Sequence, residues 1–196
     1  MKRENPRRVV WFVALTLAIL MELMGFNPAW SHEIFTTQYT VVRANSTADL
    51  LEMERRLHFA ASAPAGPLPT RGEFAFHPGY SRLAAKIDGI LLRVAGLLGI
   101  PPSRSCRVNL VLLPSGREVR QQHVNLVPGQ RPGLFGYGSL EAFYYTGNRT
   151  VYLSLADLRE GILAHEMTHH LLCTAVAPSP PAELQEKYAH YVESRL

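Results

Sequence analysis

Apolar residues recur every three or four positions in several stretches of the chain, which is the period of helices with one buried face. The clearest stretch covers residues 81–98, and others cover residues 46–61 and 154–172. The proline pair at 180–181 begins a further predicted helix that continues to the C-terminus. Residues 117–123 are expected to form one or two helical turns.

Strands are predicted where β-branched and aromatic residues dominate short segments of the chain. Residues 34–42 are expected to form one strand, and residues 107–113 a buried one. Residues 140–145 and 150–154 flank a four-residue turn. They therefore predict a hairpin whose second strand leads straight into the helix that follows.

These predicted elements, without repeats or low-complexity tracts between them, indicate one α+β domain over residues 32–196. Proline- and glycine-rich segments at 62–69 and 127–138 are expected to be loops inside it. The chain has 196 residues, of which 47% are hydrophobic, enough for one proper core. Its net charge is +4, without a basic stripe interleaved with aromatic residues. Nucleic acid is therefore not expected as a partner.

Residues 1–31 have the pattern of a secretory signal. Basic residues precede an apolar run at 9–21, and Ala29-Trp30-Ser31 places small residues at the two positions that a signal peptidase recognises. Cleavage is expected after Ser31. The alternative is an uncleaved membrane anchor through residues 9–24, although the unbroken apolar run is shorter than the roughly 20 residues of a bilayer span. In both cases the folded part is expected to be periplasmic or secreted.

The helix predicted at 154–172 carries the pattern His-Glu-x-x-His at His165, Glu166 and His169. Residues four apart stand one turn above each other on a helix, so the two imidazoles can bind one metal ion. Glu166 can reach a water on the open side of that ion. Two neutral nitrogens, an adjacent carboxylate and an open position suit Zn²⁺, which lowers the pKa of bound water towards neutrality. Glu166 would then act as general base.

The surroundings of this pattern argue against a chance match. Ser154 can cap the helix, with Asp157 three residues later. Asp157 and Glu160 would lie in its first turn, where the helix dipole favours negative charge. Between Glu160 and Glu183 the only charged residue is Glu166, so the helix is expected to be buried nearly all round. A metal ion would satisfy the polar side chains that such burial penalises. The alternative is a pair of core histidines with local hydrogen bonds.

A catalytic zinc takes three protein ligands, so one more is needed after His169. The last predicted helix offers Glu183, Glu186 and His190, which share one face at positions i, i+3 and i+7. Their spacing does not choose between them.

The segments 144–154 and 161–169 resemble the zincin metallopeptidases of the gluzincin type, in particular the small bacterial members called minigluzincins or the peptidase MA-like group. The resemblance covers residues 135–193 well and the earlier elements only loosely. In this family a proline precedes an amphipathic helix that carries a glutamate ligand. When Pro181 is aligned with that proline, the resemblance implies Glu186 as the third ligand.

Two positions depart from the family pattern. Lys187 replaces the usual glycine, and His190 stands where the family commonly has an acidic residue that orients a ligand imidazole. His190 is therefore expected to make a different contact near the site, or to compete for the metal.

The resemblance implies a zincin-like fold, with a small mixed sheet whose antiparallel edge strand packs on the active-site helix and with a C-terminal helix that bears the ligand. An extended peptide would add to that edge, supplied by residues 140–145 or 150–154. The implied activity is zinc-dependent hydrolysis of peptide or protein substrates. The implied site residues are His165, His169 and Glu186 around one Zn²⁺, with Glu166 as the base.

Such enzymes often add a tyrosine or histidine as an oxyanion donor. The candidates for this role are Tyr188, Tyr191, His170 and His190. A different class of function is a non-catalytic zincin-fold binding or scaffold protein of the cell envelope, and a third possibility is a structural domain without metal. The intact Glu166 argues against a pure binding protein, which has no use for that base.

Cys106 and Cys173 would lie in an oxidising compartment, where an even cysteine count suggests one disulfide. Such a bond would pin the metal-binding helix to the sheet, and two separate buried thiols are the alternative. Cys173 follows His169 by four residues. It is rejected as a ligand because three successive helical turns span about 12 Å and cannot converge on one tetrahedral ion.

Overall fold

The computed structural model describes residues 33–58, 80–104, 106–127 and 140–196. In chain order their helices and strands are β1 (Glu33–Thr36), β2 (Thr40–Ala44), α1 (Thr47–Arg56), α2 (Ser81–Leu98), β3 (Val108–Leu113), α3 (Gly116–Leu126), β4 (Ala142–Tyr145), β5 (Thr150–Ser154), α4 (Glu160–Ala175) and α5 (Ala182–Glu193).

Several predictions fall outside these ranges. The signal sequence or anchor at residues 1–31, the loop at 62–69 and most of the loop at 127–138 are not among the described residues. All described residues belong to one compact unit, His32–Leu196. None of its described helices combines the length and the apolar composition that a membrane span requires.

The five described strands form one mixed sheet in the order β1-β2-β3-β5-β4. β2, β3 and β5 run parallel, whereas β1 and β4 pair antiparallel with their neighbours at the two ends. The α+β class and a mixed sheet with an antiparallel edge strand are therefore confirmed. Of the two hairpin strands expected as the edge, β4 takes that place, because β5 lies between β3 and β4.

The alternation of side chains along the strands divides the core between the two faces of the sheet. Leu110, Leu112, Val151 and Leu153 belong to the main core, to which α1, α2 and α4 contribute their apolar faces. Tyr152 and Leu113 belong to a smaller cluster on the opposite face, where Val119 of α3 packs. β5 is buried along its whole length because neighbours cover both of its faces.

The single strand predicted for residues 34–42 is wrong, because the chain turns between β1 and β2. Thr37 makes this turn: its hydroxyl oxygen accepts from the backbone N–H of Thr40 at 2.9 Å, and its own N–H donates to the carbonyl of Thr40 at 2.8 Å. Asp88 of α2 accepts from the Thr37 hydroxyl at 2.5 Å and from the Gln38 N–H at 3.0 Å. A carboxylate distant in sequence thus supports a turn that lacks glycine and proline.

The predictions for α2, the β4–β5 hairpin and α5 are confirmed, and those for α1 and α3 need correction in length. α2 ends at Gly99, whose φ of 67° is the left-handed conformation that favours glycine. α1 ends at Arg56, earlier than the predicted Ala61, and Lys86 of α2 donates to the carbonyls of Glu54 and Leu57, both at 2.6 Å. α3 is longer than predicted and spans Gly116–Leu126.

The predicted start of α4 at Ser154 is wrong, since the helix begins at Glu160 with Arg159 as its N-cap. Ser154 and Asp157 do form the expected reciprocal pair, with Asp157 N–H donating to the serine oxygen at 3.3 Å, but they close a turn. The N–H groups of Leu155 and Ala156 donate to the carbonyls of Leu113, the last residue of β3, and of Pro114, which follows it. These bonds keep the backbone out of the helix until Glu160.

Candidate metal centre

α4 places His165 and His169 one turn apart, facing α5. Their ring centroids are 5.1 Å apart, and the side chains are 16% and 14% exposed. The rest of the helix is buried on most sides, as expected, through Ile162, Leu163, Ala164, Glu166, Met167, Thr168, His170, Leu171 and Leu172. The two imidazoles therefore lie largely buried between the two helices.

Glu186 of α5 faces both imidazoles. Nε2 of His165 lies 3.4 Å from its Oε2, and Nε2 of His169 lies 3.4 Å from its Oε1. These distances exceed those of good hydrogen bonds to nitrogen, which are about 2.7–3.2 Å. Two ligand atoms that are each about 2.0–2.1 Å from a tetrahedral ion lie about 3.3 Å apart. The spacing of the three side chains therefore suits a shared metal ion better than direct hydrogen bonds.

The outer nitrogens of both rings have acceptors. Nδ1 of His165 is 3.2 Å from Oε2 of Glu193, and Nδ1 of His169 is 3.2 Å from Oε1 of Gln185. Both acceptors belong to α5. An imidazole that donates its Nδ1 hydrogen keeps the lone pair of Nε2 for a metal. The two Nε2 lone pairs thus face the carboxylate of Glu186, and the donor set fits one Zn²⁺.

Gln185 is itself held in one orientation. Its Nε2 donates to the carbonyl of Pro180 at 2.8 Å, so its Oε1 faces His169 and also accepts from the thiol of Cys173 at 3.3 Å. Burial lowers the pKa of His169, which favours the neutral ring that metal binding requires. Burial likewise raises the pKa of the Cys173 thiol and keeps it a donor.

Glu166 lies buried at the inner end of this group. Burial raises its pKa to about 8, the nearby carboxylates of Glu186 and Glu193 add to the rise, and a backbone hydrogen bond from Tyr144 opposes it. The carbonyl of Glu141 accepts from β5 (the N–H of Ser154, 2.8 Å), so the alternation of an antiparallel ladder turns the N–H of Tyr144 away from β5. The edge strand and Glu166 therefore meet at the backbone of β4.

The other two candidates for the third ligand stand apart from this arrangement. Glu183 is 84% exposed and pairs with Lys187 at 2.9 Å. His190 is 70% exposed, with Nδ1 3.6 Å from Glu193. The side chains of His165, His190 and Glu193 also come close enough to hold an ion together. In that set the carboxylate of Glu193 already lies at hydrogen-bond distance, 3.2 Å, from Nδ1 of His165, whereas Glu186 lies beyond that range from both Nε2 atoms, so the set with Glu186 is the better site.

The four candidate oxyanion donors occupy different places. His170 is buried and faces away from the metal ligands, with Nε2 3.0 Å from the carbonyl oxygen of Cys106. Tyr188 and Tyr191 lie on the exposed side of α5. The ring of His190 packs edge-on against that of His165, with centroids 5.0 Å apart. His190 is thus the candidate that contacts a predicted ligand.

Cys106 and Cys173 are both free thiols, so the expected disulfide is absent and the alternative of two separate thiols holds. The sulfur of Cys106 accepts from Arg149 at 3.5 Å, whereas that of Cys173 contacts Gln185 of α5. The two sulfurs therefore contact different residues and not each other.

Sequence reasoning missed Gln185 and Glu193 as partners of the imidazoles. Glu193 stands two turns after Glu186 on the same face of α5, so extending that face to the end of the helix is a signal that could have found it. Gln185 carries no such signal. Its role depends on the contact with Pro180, which only the fold brings about.

Comparison with protein-family models, curated proteins and solved structures finds no match for this chain. The resemblance to gluzincin-type metallopeptidases therefore depends on the residues of this chain alone.

Proposed function

We propose that this protein is a zinc-dependent metallopeptidase that hydrolyses peptide bonds outside the cytoplasm. The observation that carries the proposal is the convergence of two Nε2 atoms on the two oxygens of Glu186, with both Nδ1 atoms held by acceptors. His165, His169 and Glu186 would hold one Zn²⁺. Glu166 directly follows the first of these ligands and is buried beside the group, where a general base is needed.

When bound at such a site, zinc makes its coordinated water acidic enough to be deprotonated near neutral pH. Glu166 would serve as the general base, accepting a proton from the attacking water and returning it to the amine of the leaving group. With its pKa raised by burial, Glu166 would keep its proton at neutral pH unless a cation lay close by, so a nearby positive charge is what would let it act as a base. A bound cation would lower the pKa of Glu166 from the value that burial produces.

The place of β4 supports a peptide as the substrate. β4 ends the described sheet, and the outward backbone N–H of Tyr144 bonds to Glu166. An extended peptide that pairs with this edge would run past the carboxylate of Glu166. The periplasmic or secreted location follows from the predicted signal sequence.

The proposal is tested in two stages on the purified protein. Elemental analysis and zinc titration establish whether one zinc binds per chain. A peptide library is then incubated with wild type and with Glu166→Gln, after zinc occupancy has been shown to be equal in both. We expect wild type to cleave and the variant to lose about 100- to 10,000-fold in rate, the usual contribution of a general base.

The outcomes separate the classes of function. Zinc binding without cleavage by wild type favours the non-catalytic binding or scaffold protein, and a metal-free wild type after zinc titration favours a structural domain. Equal cleavage by Glu166→Gln would falsify the assigned base. Cleavage that survives removal of zinc excludes the metal mechanism altogether.

A further inference from the structure

We infer that Glu193 is the positioning residue of His165, a role that the family pattern would give to the position of His190. The inference depends on the proposed zinc site. Oε2 of Glu193 lies 3.2 Å from Nδ1 of His165. His190 instead packs its ring edge-on against that of His165, with centroids 5.0 Å apart. The acid that meets His165 is thus the last residue of α5, three residues after His190.

Residues near the two ends of α5 contact different imidazoles of α4. Gln185 meets His169, and Glu193 meets His165 on the preceding turn of α4, whereas Glu186 faces both rings. Because the two helices run in opposite directions here, an acceptor for His165 must come from beyond Glu186 in the sequence. Glu193 supplies it from the same helix that supplies the metal ligand.

Gly161 provides the space for Glu193. It stands one turn before His165 in α4, and a Cβ atom at this position would lie 3.1 Å from Cγ of Glu193. Few real Cβ atoms come that close to a neighbour, so a side chain here would push Glu193 by a few tenths of an ångström. The position of Glu193 beside His165 therefore depends on the absence of a side chain at Gly161.

A carboxylate that accepts the Nδ1 hydrogen strengthens an imidazole ligand more than an amide oxygen in the same place. It fixes the tautomer and the ring orientation, and its negative charge increases the basicity of Nε2. Gln185 provides His169 with only a neutral acceptor. His165 is therefore the stronger of the two nitrogen ligands, and removal of Glu193 weakens zinc binding.

The first measurement is zinc affinity of the full chain by competition with a chromogenic chelator. Glu193→Ala is expected to weaken zinc binding by about 10- to 100-fold, the usual effect of losing such a partner. Glu193→Gln retains an acceptor oxygen and is expected to lose less. Glu183→Ala, on the same helix but paired only with exposed Lys187, is the matched control and is expected to match wild type.

The second measurement is the tautomer of His165, observed by nitrogen NMR of the imidazoles in chelator-treated protein. A merely structural residue does not change it. We expect the Nδ1–H form in wild type and in Glu193→Gln, and a shift towards Nε2–H in Glu193→Ala. Gly161→Ala, which removes no polar group, is expected to weaken zinc binding in the wild-type background but not in Glu193→Ala, as contacting residues do in a double-mutant cycle.

Unchanged zinc affinity, or an unchanged His165 tautomer, in Glu193→Ala overturns the positioning role and leaves the zinc site intact. If Glu193→Ala does not fold, Glu193→Gln and Gly161→Ala decide the question by the same affinity measurement, and wild-type affinity in both overturns the role. A wild-type protein that binds no zinc overturns the proposed function and this inference together.

Discussion

A neutral imidazole has one hydrogen and one lone pair, so the partner of one nitrogen determines what the other can bind. In His165 and His169 the Nδ1 atoms face Glu193 and Gln185, and the Nε2 atoms face Glu186. The choice of Glu186 as the proposed metal ligand therefore depends on side chains that would not themselves touch a metal.

The pair Glu186→Ala and Glu183→Ala tests this choice of ligand. The first removes the carboxylate that lies 3.4 Å from both Nε2 atoms, and the second removes an exposed carboxylate paired with Lys187. We expect Glu186→Ala to weaken zinc binding by more than the roughly 10- to 100-fold that loss of an outer partner causes. Glu183→Ala should leave it unchanged in the same chelator competition. The reverse order would contradict the assignment.

At the scale of elements, α5 has little apolar attachment to the rest of the molecule. Its buried residues are Ala189 and Val192, both small, whereas Leu184 and Tyr188 are 41% and 42% exposed. Its remaining contacts with α4 include the polar ones around the two imidazoles. Zinc bound between the helices would therefore hold α5 in place.

Backbone hydrogen exchange of α5 is expected to slow when zinc is added to chelator-treated protein. An opening that releases the ion becomes about 100-fold rarer when free zinc is about 100 times the dissociation constant. Mass spectrometry of peptides from Ala182–Glu193 measures the effect. Glu186→Ala should show no dependence on zinc, and equally slow exchange in wild type with and without zinc would contradict a metal-held helix.

The turn between β1 and β2 is an element whose stability should depend on pH. Burial raises the pKa of Asp88, while hydrogen bonds from Thr37 and Gln38 and the charge of Arg107 oppose the rise. The carboxyl group therefore keeps its proton in the folded protein at pH values where the unfolded chain has lost it. Folding then becomes less favourable as pH rises from 3.8, the ordinary value for aspartate, to the raised pKa.

Comparison of wild type with Asp88→Asn isolates this contribution, because the variant cannot titrate there. The unfolding free energy of wild type minus that of the variant should fall as pH rises through this window, by at most about 1.4 kcal/mol per pH unit. Below pH 3.8 and above the raised pKa the difference should be flat. Urea unfolding across the acid range measures it, and a difference that increases with pH would contradict the raised pKa.

At the scale of the whole molecule, no covalent bond joins α4 to the chain before β3. Cys106 lies just before β3 and Cys173 lies in the last turn of α4, but both are free thiols. The attachment of α4 comes instead from the core, where Leu163, Met167 and Leu171 are buried. Stability should therefore be independent of the redox state.

Alkylation of unreduced, denatured protein should label both cysteines, as mass spectrometry can count. Added reductant should leave the unfolding free energy unchanged. A disulfide closing a loop of this length would contribute about 4 kcal/mol. A mass lower by two hydrogens, or destabilisation by reductant, would show that the bond forms in solution.

Elements whose apolar spacing repeats over several turns could be predicted from the chain, as α2 shows, because each turn adds the same local signal. The residues at which helices and strands begin and end were harder to predict from the chain. α4 starts at Glu160 and not at the predicted Ser154, because the intervening backbone bonds to the end of β3 and to Pro114. The turn at Thr37 depends on Asp88, which is distant in sequence. Such contacts leave no periodic trace in the segment that they shape.

The spacing and composition of the chain were enough to place His165, Glu166 and His169 on one buried helix, since a spacing of four residues and the lack of nearby charge are local properties. The packing of the helices and strands was needed to show that Glu186 faces both imidazoles, that Glu193 and Gln185 lie at their Nδ1 atoms, and that β4 is the edge strand. Helix periodicity places a residue on a face. The partner that this face meets depends on how helices and strands pack, which is a property of the whole chain.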